Sequence, residues 1–88
     1  MFRVEFTEKA LKALKKLDRY TALLITAWIR KNLEGCTNPR QHRKGLVGDK
    51  SGQWRYRVGD YRLLAEIQDD RIVILILNVG HRREIYRQ

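Results

Sequence analysis

Arg55, Arg57 and Arg62 are the groups in this sequence best suited to chemistry on an anion. They flank Gly59-Asp60, a pair that suits a short turn between two strands. With a two-residue turn, Val58 faces Tyr61, Arg57 faces Arg62, Tyr56 faces Leu63 and Arg55 faces Leu64. Trp54, Tyr56, Val58, Tyr61, Leu63, Ala65 and Ile67 then share one apolar face, while Arg55, Arg57 and Arg62 collect on the other. Like charges directly opposite each other cost a sheet some tenths of a kcal/mol. Long side chains splayed into water would bear that cost without any function. A third arginine beside the pair points instead to a phosphate site, because planar guanidinium groups bind phosphate in a two-pronged manner.

A second group follows the apolar stretch Arg71–Val79. Gly80 is expected to end that strand, and His81, Arg82, Arg83 and Tyr86 come directly after it. Strand ends often display catalytic side chains. Arg82 or Arg83 can hold a phosphate, and His81 and Tyr86 can move protons. Taken singly, each has a plainer reading: tail arginines are usually solvated, and Tyr86 can pack its ring on the sheet. Together they are expected beside the arginine face. Cys36 has no base of fixed geometry near it and receives no nucleophilic role. His42, in a segment with Arg40 and Arg43, reads as solvated. One cysteine and two histidines exclude an internal disulfide framework and a structural zinc site.

The positioning elements follow from the pattern. Residues 2–6 alternate as a strand, with Phe2, Val4 and Phe6 on one face. Thr7 can cap a helix whose Ala10, Ala13, Leu14 and Leu17 fall together, with Lys9, Lys12, Lys15 and Lys16 over much of the remainder. Those lysines suit a solvated face, or one that tracks a nucleic-acid backbone. Asp18 is a second cap, opening a helix from about Arg19 to Glu34 that Gly35 terminates. Leu24 and Trp28 form one ridge, with Trp28 expected in the core; Ile25, Ile29 and Leu33 form the next. The two helices should make an antiparallel hairpin. A long polar segment from Gly35 to Gly52 precedes three strands, Gln53–Val58, Tyr61–Gln68 and Arg71–Val79. The last reads as a central strand covered on both sides. The expected fold class is α+β: an N-terminal strand, a helix hairpin, then a three-stranded antiparallel meander, with the helices packed on one face of an antiparallel sheet.

Composition narrows the class further. The chain has 88 residues, 19 Lys+Arg against 10 Asp+Glu, and a formal net charge of +9. That length suits a single domain, residues 1–88, with no internal repeat. The apolar run Ile72–Leu77 is too short to cross a bilayer. Nothing near Met1 resembles a signal peptide, so a soluble cytoplasmic domain is expected. Such a charge attracts polyanions: RNA, DNA or an acidic protein. Between Arg40 and Arg62 there are seven Lys/Arg and only two acids, Asp49 and Asp60.

Two motifs carry a resemblance that spans essentially the whole chain. Trp54-Arg55-Tyr56-Arg57-Val58-Gly59-Asp60-Tyr61-Arg62-Leu63, and then Val79-Gly80-His81-Arg82-Arg83-Glu84-Ile85-Tyr86-Arg87, resemble the RelE branch of the RelE/ParE toxin superfamily. The opening strand and the lysine-rich helix with Lys16-Leu17 fit as well. The resemblance implies a type II toxin-antitoxin toxin, a ribosome-dependent mRNA interferase that cuts the A-site codon and arrests growth. In that chemistry the messenger's own 2′-hydroxyl attacks the adjacent phosphate, leaving a cyclic phosphate and a 5′-hydroxyl, with no metal or other cofactor. It further implies a cognate RelB-like antitoxin, operator DNA bound only by the toxin-antitoxin complex, and no membrane partner.

By the same resemblance, Arg55 and Arg57 bind substrate and help activate the nucleophile, and Arg62 stabilises the transition state. Arg82 holds the phosphate near the leaving group, and Tyr86 stacks on a base and moves a proton; Arg83 and His81 are expected as further substrate contacts from their place in the tail beside them, not from the resemblance. Well-known members have lysines at positions 55 and 57. Arginine stays protonated at physiological pH and is a poor general base. Base duty then falls to Tyr86 or His81, or catalysis is mostly electrostatic. Two other classes remain open on these residues: a ParE-like toxin that poisons DNA gyrase, and a non-catalytic RNA- or DNA-binding module.

Overall fold

The computed structural model describes residues 1–40 and 53–81. His42, Arg82, Arg83 and Tyr86 lie outside the described residues. The elements are β1 (Arg3–Phe6), α1 (Glu8–Lys16), α2 (Arg19–Asn32), β2 (Gln53–Val58), β3 (Tyr61–Gln68) and β4 (Val73–His81). Among the described residues, no helix is long and apolar enough to cross a membrane.

Both helices start where the side chains can cap them. Thr7 Oγ1 accepts the Ala10 N–H at 3.1 Å and donates to the Leu77 carbonyl at 3.0 Å, which ties the start of α1 to β4. Asp18 caps α2 by accepting the Thr21 N–H at 3.1 Å. The apolar stripe Ile25, Ile29 and Leu33 is buried, whereas Leu24 is 49% exposed. Of the two ridges expected on α2, only one reaches the core. Trp28 joins it in part, with its ring centroid 5.9 Å from that of Tyr56.

The strands form one sheet in the order β1-β4-β3-β2. β2, β3 and β4 make the antiparallel meander, but β1 pairs with β4 in parallel, so the sheet is mixed. Period-two alternation reads the same in either direction, which is why local pattern could not set the sense of β1. Its register does follow the apolar pattern: Val4 pairs with Ile74 and Phe6 with Ile76. β4 is interior, as expected, but begins at Val73 and continues through Gly80 to His81. Ile25, Leu33, Leu63, Ile74 and Ile76 are fully buried, each contributing about 1.5–3 kcal/mol of transfer free energy.

The turn from β3 to β4 occupies Asp69 to Ile72. Arg71 N–H donates to the Gln68 carbonyl and Ile72 N–H to that of Asp69, both at 3.2 Å. Ile72 has φ 55°, a strained conformation for a β-branched residue, and is 45% exposed. Replacing it with glycine should raise stability by roughly 0.5–1 kcal/mol, relief of strain outweighing lost burial and backbone entropy. A higher urea midpoint at unchanged slope is the expected reading.

Arg40 crosses to this turn and binds Asp69 with two hydrogen bonds, at 3.1 and 2.9 Å. That guanidinium holds the Asp69 carboxyl below its ordinary value. A carboxyl depressed in the folded state adds stability above its unfolded pKa and loses it as pH falls through the folded one. Asp69→Asn should therefore lower the thermal midpoint at neutral pH, with the gap from the parent closing in acid. Beside this pair, the buried Tyr56 hydroxyl donates to the Pro39 carbonyl at 2.8 Å, and burial pushes its phenol well above the ordinary value.

Candidate functional site

The β2–β3 hairpin builds the site. Val58 pairs with Tyr61 across Gly59-Asp60, Arg57 with Arg62, Tyr56 with Leu63 and Arg55 with Leu64, the register expected from a two-residue turn. Gly59 has φ 59° and Asp60 does not share the positive φ, the pattern of a II′ turn, which favours glycine at its first central position. Alternation then places Trp54, Tyr56, Val58, Tyr61, Leu63, Ala65 and Ile67 against the helices. Arg55, Arg57 and Arg62 emerge on the opposite face of the sheet.

The three arginines differ in setting. Arg57 is exposed, Arg55 is half-buried, and Arg62 is 4% exposed. Arg62 Nη1 donates to the Gly59 carbonyl at 3.2 Å and to the Tyr61 carbonyl at 3.1 Å. The turn thus orients the same guanidinium that the hairpin register sets beside Arg57. On its other side Arg62 pairs with Gly80, which presents no side chain to that face. Among the described residues, the ion pairs are made by Arg3, Lys12, Arg40 and Arg71; Arg55 and Arg57 have none. The Nε of Arg55 is enclosed by protein without an acceptor. Among the described residues, no carboxylate is paired with Arg55 or Arg57, so an anion that reaches this face meets cationic donors there.

His81 departs from the expected arrangement. It pairs with Tyr61, and its ring stands edge-on to the Tyr61 ring at 5.6 Å and 75°. Those side chains share the helix-covered face, opposite Arg62. The cause is a bulge: Leu64 pairs with Asn78 but Ala65 with Ile76, leaving Leu77 as the extra residue. Without it, the alternation that puts Ile76 inside would have put His81 among the arginines. With it, Ile76 and Val79 both face the core, and Asn78 and Gly80 face the arginine side. The structure therefore brings Arg55, Arg57 and Arg62 together and leaves His81 apart. The strand is also longer than expected, because the ladder passes through Gly80 rather than stopping there.

Asn78 and Gly80 are the residues of this face that sequence reasoning missed. Asn78 is buried, and its Oδ1 accepts the Val79 N–H at 2.9 Å. Only a polar residue within an apolar strand hinted at it. Glu66 shares the face by the period of β3 and accepts from Gln68 Nε2 at 2.6 Å. Burial pushes the Cys36 thiol up, which suits its lack of a nucleophilic role. Among the described residues, no three His, Cys, Asp or Glu side chains are grouped as a metal site requires.

Comparison with known proteins places this arrangement in context. The sequence model described as the ParE toxin of the type II toxin-antitoxin system, parDE, matches residues 4–86. The chain is 32% identical over 87 residues to Toxin RelG of Mycobacterium tuberculosis, covering 99% of this chain and 98% of that one. It is similar to the toxin-antitoxin complex RelBE2 of Mycobacterium tuberculosis, at 31% identity and a TM-score of 0.77, over 92% of this chain and 91% of that chain. It is also similar to the archaeal RelE-RelB complex of Pyrococcus horikoshii OT3, at 26% identity and a TM-score of 0.71, over 92% and 94%. The isolated E. coli RelE toxin shares the fold, at 23% identity and a TM-score of 0.70, over 99% and 93%.

Proposed function

We propose that this chain, which belongs to the RelE branch of the RelE/ParE superfamily of type II toxin-antitoxin toxins, stops translation by cutting mRNA in the ribosomal A site. The observation that carries the reading is the Arg57–Arg62 pair, set face to face on the side of the sheet away from the helices with Arg55 beside it. A sheet keeps two like charges in register where an anion will neutralise them. The messenger's 2′-hydroxyl attacks the neighbouring phosphorus and loses its proton. The P–O5′ bond breaks, and the leaving oxygen takes up a proton to give a 5′-hydroxyl and a 2′,3′-cyclic phosphate. No metal takes part.

Arg55 and Arg57 hold the backbone phosphates and favour the ionised nucleophile by their charge. Arg62, oriented by the Gly59 and Tyr61 carbonyls before any substrate arrives, stabilises the doubly charged phosphorane. Arg82 holds the phosphate near the leaving oxygen, Arg83 adds a substrate contact, and Tyr86 stacks on the base and moves the proton, whereas His81, on the helix-covered face beside Tyr61, takes no part. The partners are a cognate antitoxin, the ribosome with its messenger, and operator DNA through the toxin-antitoxin complex. The setting is the cytoplasm.

The ParE description of the matching family favours a second reading, inhibition of DNA gyrase. Induced expression separates the two. The interferase leaves new messenger 5′ ends in frame with the codons of translated regions within minutes, and chromosomal DNA stays intact. Gyrase-dependent DNA breaks with unchanged messenger ends would overturn it.

A further inference from the structure

The bulge in β4 decides which residues stand on the arginine face, and two polar side chains hold it in place. Leu77 is the extra residue, since Leu64 pairs with Asn78 and Ala65 with Ile76. A bulge leaves its extra residue out of the ladder. The Leu77 carbonyl accepts instead from Thr7 Oγ1 at 3.0 Å. The neighbouring gap follows from the hairpin register. A two-residue loop makes Val58 and Tyr61 a hydrogen-bonded pair, so on the other side of β3 the hydrogen-bonded pairs are Arg62 with Gly80 and Leu64 with Asn78. The Val79 N–H therefore points away from β3, to the side where β1 has already ended at Phe6, opposite Ile76. Asn78 Oδ1 accepts it at 2.9 Å. Left unpaired, either backbone group would penalise the bulge.

Thr7 is well placed for its part. It directly follows β1, and its N–H donates to the Ile76 carbonyl at 3.0 Å. Its hydroxyl also caps α1 by accepting the Ala10 N–H at 3.1 Å. One hydroxyl thus accepts from the helix and donates to the bulge, which requires a group with both capacities. In a ladder without the bulge, the pairing of Ala65 with Ile76 would continue as Leu64 with Leu77, Leu63 with Asn78 and Arg62 with Val79. Asn78 would then face the helices, while Val79 and His81 would stand on the arginine face. With the bulge, Gly80 lies opposite Arg62 and adds no side chain beside the guanidinium, which binds the Gly59 and Tyr61 carbonyls.

We propose that Thr7 is a positioning residue for the arginine face: its hydroxyl fixes the bulge at Leu77, and the bulge keeps Gly80 opposite Arg62 and His81 on the other face. Thr7 acts through the β4 backbone rather than on substrate. Its effect on cleavage rests on the interferase reading, whereas the register it sets does not.

Two substitutions separate the bulge from the cap. Thr7→Ser keeps both bonds. Thr7→Asp keeps the acceptor that caps α1 but, as a carboxylate at neutral pH, has no proton to give the Leu77 carbonyl. NMR on the full chain reads the result. Thr7→Ser should match the parent. Thr7→Asp should keep α1, seen as unchanged slow exchange of the Leu11 amide, which donates to the Thr7 carbonyl. It should speed exchange of the Asn78 and Gly80 amides at least about tenfold. It should also weaken the cross-peak between the Tyr61 and His81 rings, whose centroids are 5.6 Å apart in the parent. Messenger cleavage should fall about tenfold in Thr7→Asp and stay at the parental rate in Thr7→Ser. Parental exchange at Asn78 and Gly80 with a parental ring cross-peak in Thr7→Asp would overturn the proposal, since the donor would then be dispensable. Loss of Leu11 protection in an otherwise folded Thr7→Asp chain would trace the effect to the cap and overturn it as well. The parent supplies a second reading should Thr7→Asp fail to fold: its Thr7 hydroxyl proton should be protected from exchange with water, and rapid exchange of that proton would overturn the proposal. A parent that leaves messenger uncut refutes the interferase reading alone, because the amide and ring readouts need no substrate.

Discussion

Arg62→Ala is expected to slow mRNA cleavage by about a hundredfold to a thousandfold while leaving the protein folded. Loss of one preoriented donor to a developing anion costs about 3–4 kcal/mol of transition-state stabilisation. Arg62 is the member of the face whose guanidinium is fixed in advance, through the Gly59 and Tyr61 carbonyls. Removing it also relieves its repulsion with Arg57, so the change in folding stability should stay within about 1 kcal/mol. Cleavage by the purified variant, read beside its urea unfolding curve, separates the two effects. An unchanged cleavage rate with an unchanged midpoint would remove Arg62 from the chemistry.

The adjacent residue should behave in the opposite way. Leu63 is fully buried, faces the helices, and pairs with Tyr56 on β2 and Val79 on β4. Leu63→Ala removes apolar contact on both sides and leaves a cavity, for a cost of about 2–5 kcal/mol. A chain of this length has roughly 4–13 kcal/mol of stability in all. A large drop in urea midpoint is expected, with growth arrest lost in proportion to the folded protein remaining. Neighbours on one strand thus fail for different reasons, because alternation sends one side chain to the core and the other to the anion face.

That alternation is why the hairpin was legible from its residues. Gly59-Asp60 set the loop length, the loop length set the register, and the register put Arg57 opposite Arg62. All of this lies within a dozen or so residues, where local chemistry decides. The direction of β1 was not legible, since Phe2, Val4 and Phe6 bury equally well in a parallel or an antiparallel strand. Nor was the bulge at Leu77, whose neighbours are all apolar and give no local sign of where the alternation slips. That one residue determines whether His81 or Gly80 stands beside Arg62. Ile72 misled for a related reason: a β-branched residue belongs in a strand by propensity, and here the turn holds it at positive φ. On α2 two apolar ridges competed, and the sheet took Ile25, Ile29 and Leu33 while Leu24 stayed half in water.

The face that results joins a folding cost to a function. Opposed arginines weaken the hairpin slightly in isolation, and any bound anion repays that by neutralising them. The same logic covers a messenger phosphate held by Arg55 and Arg57.

Primer extension on a defined messenger, incubated with purified protein in the presence and absence of translating ribosomes, bears most directly on the proposed activity. Cleavage within the A-site codon, only with ribosomes present and leaving a 5′-hydroxyl on the downstream fragment, is the expected result. Intact messenger in both reactions, from folded protein that still arrests cells, would contradict it.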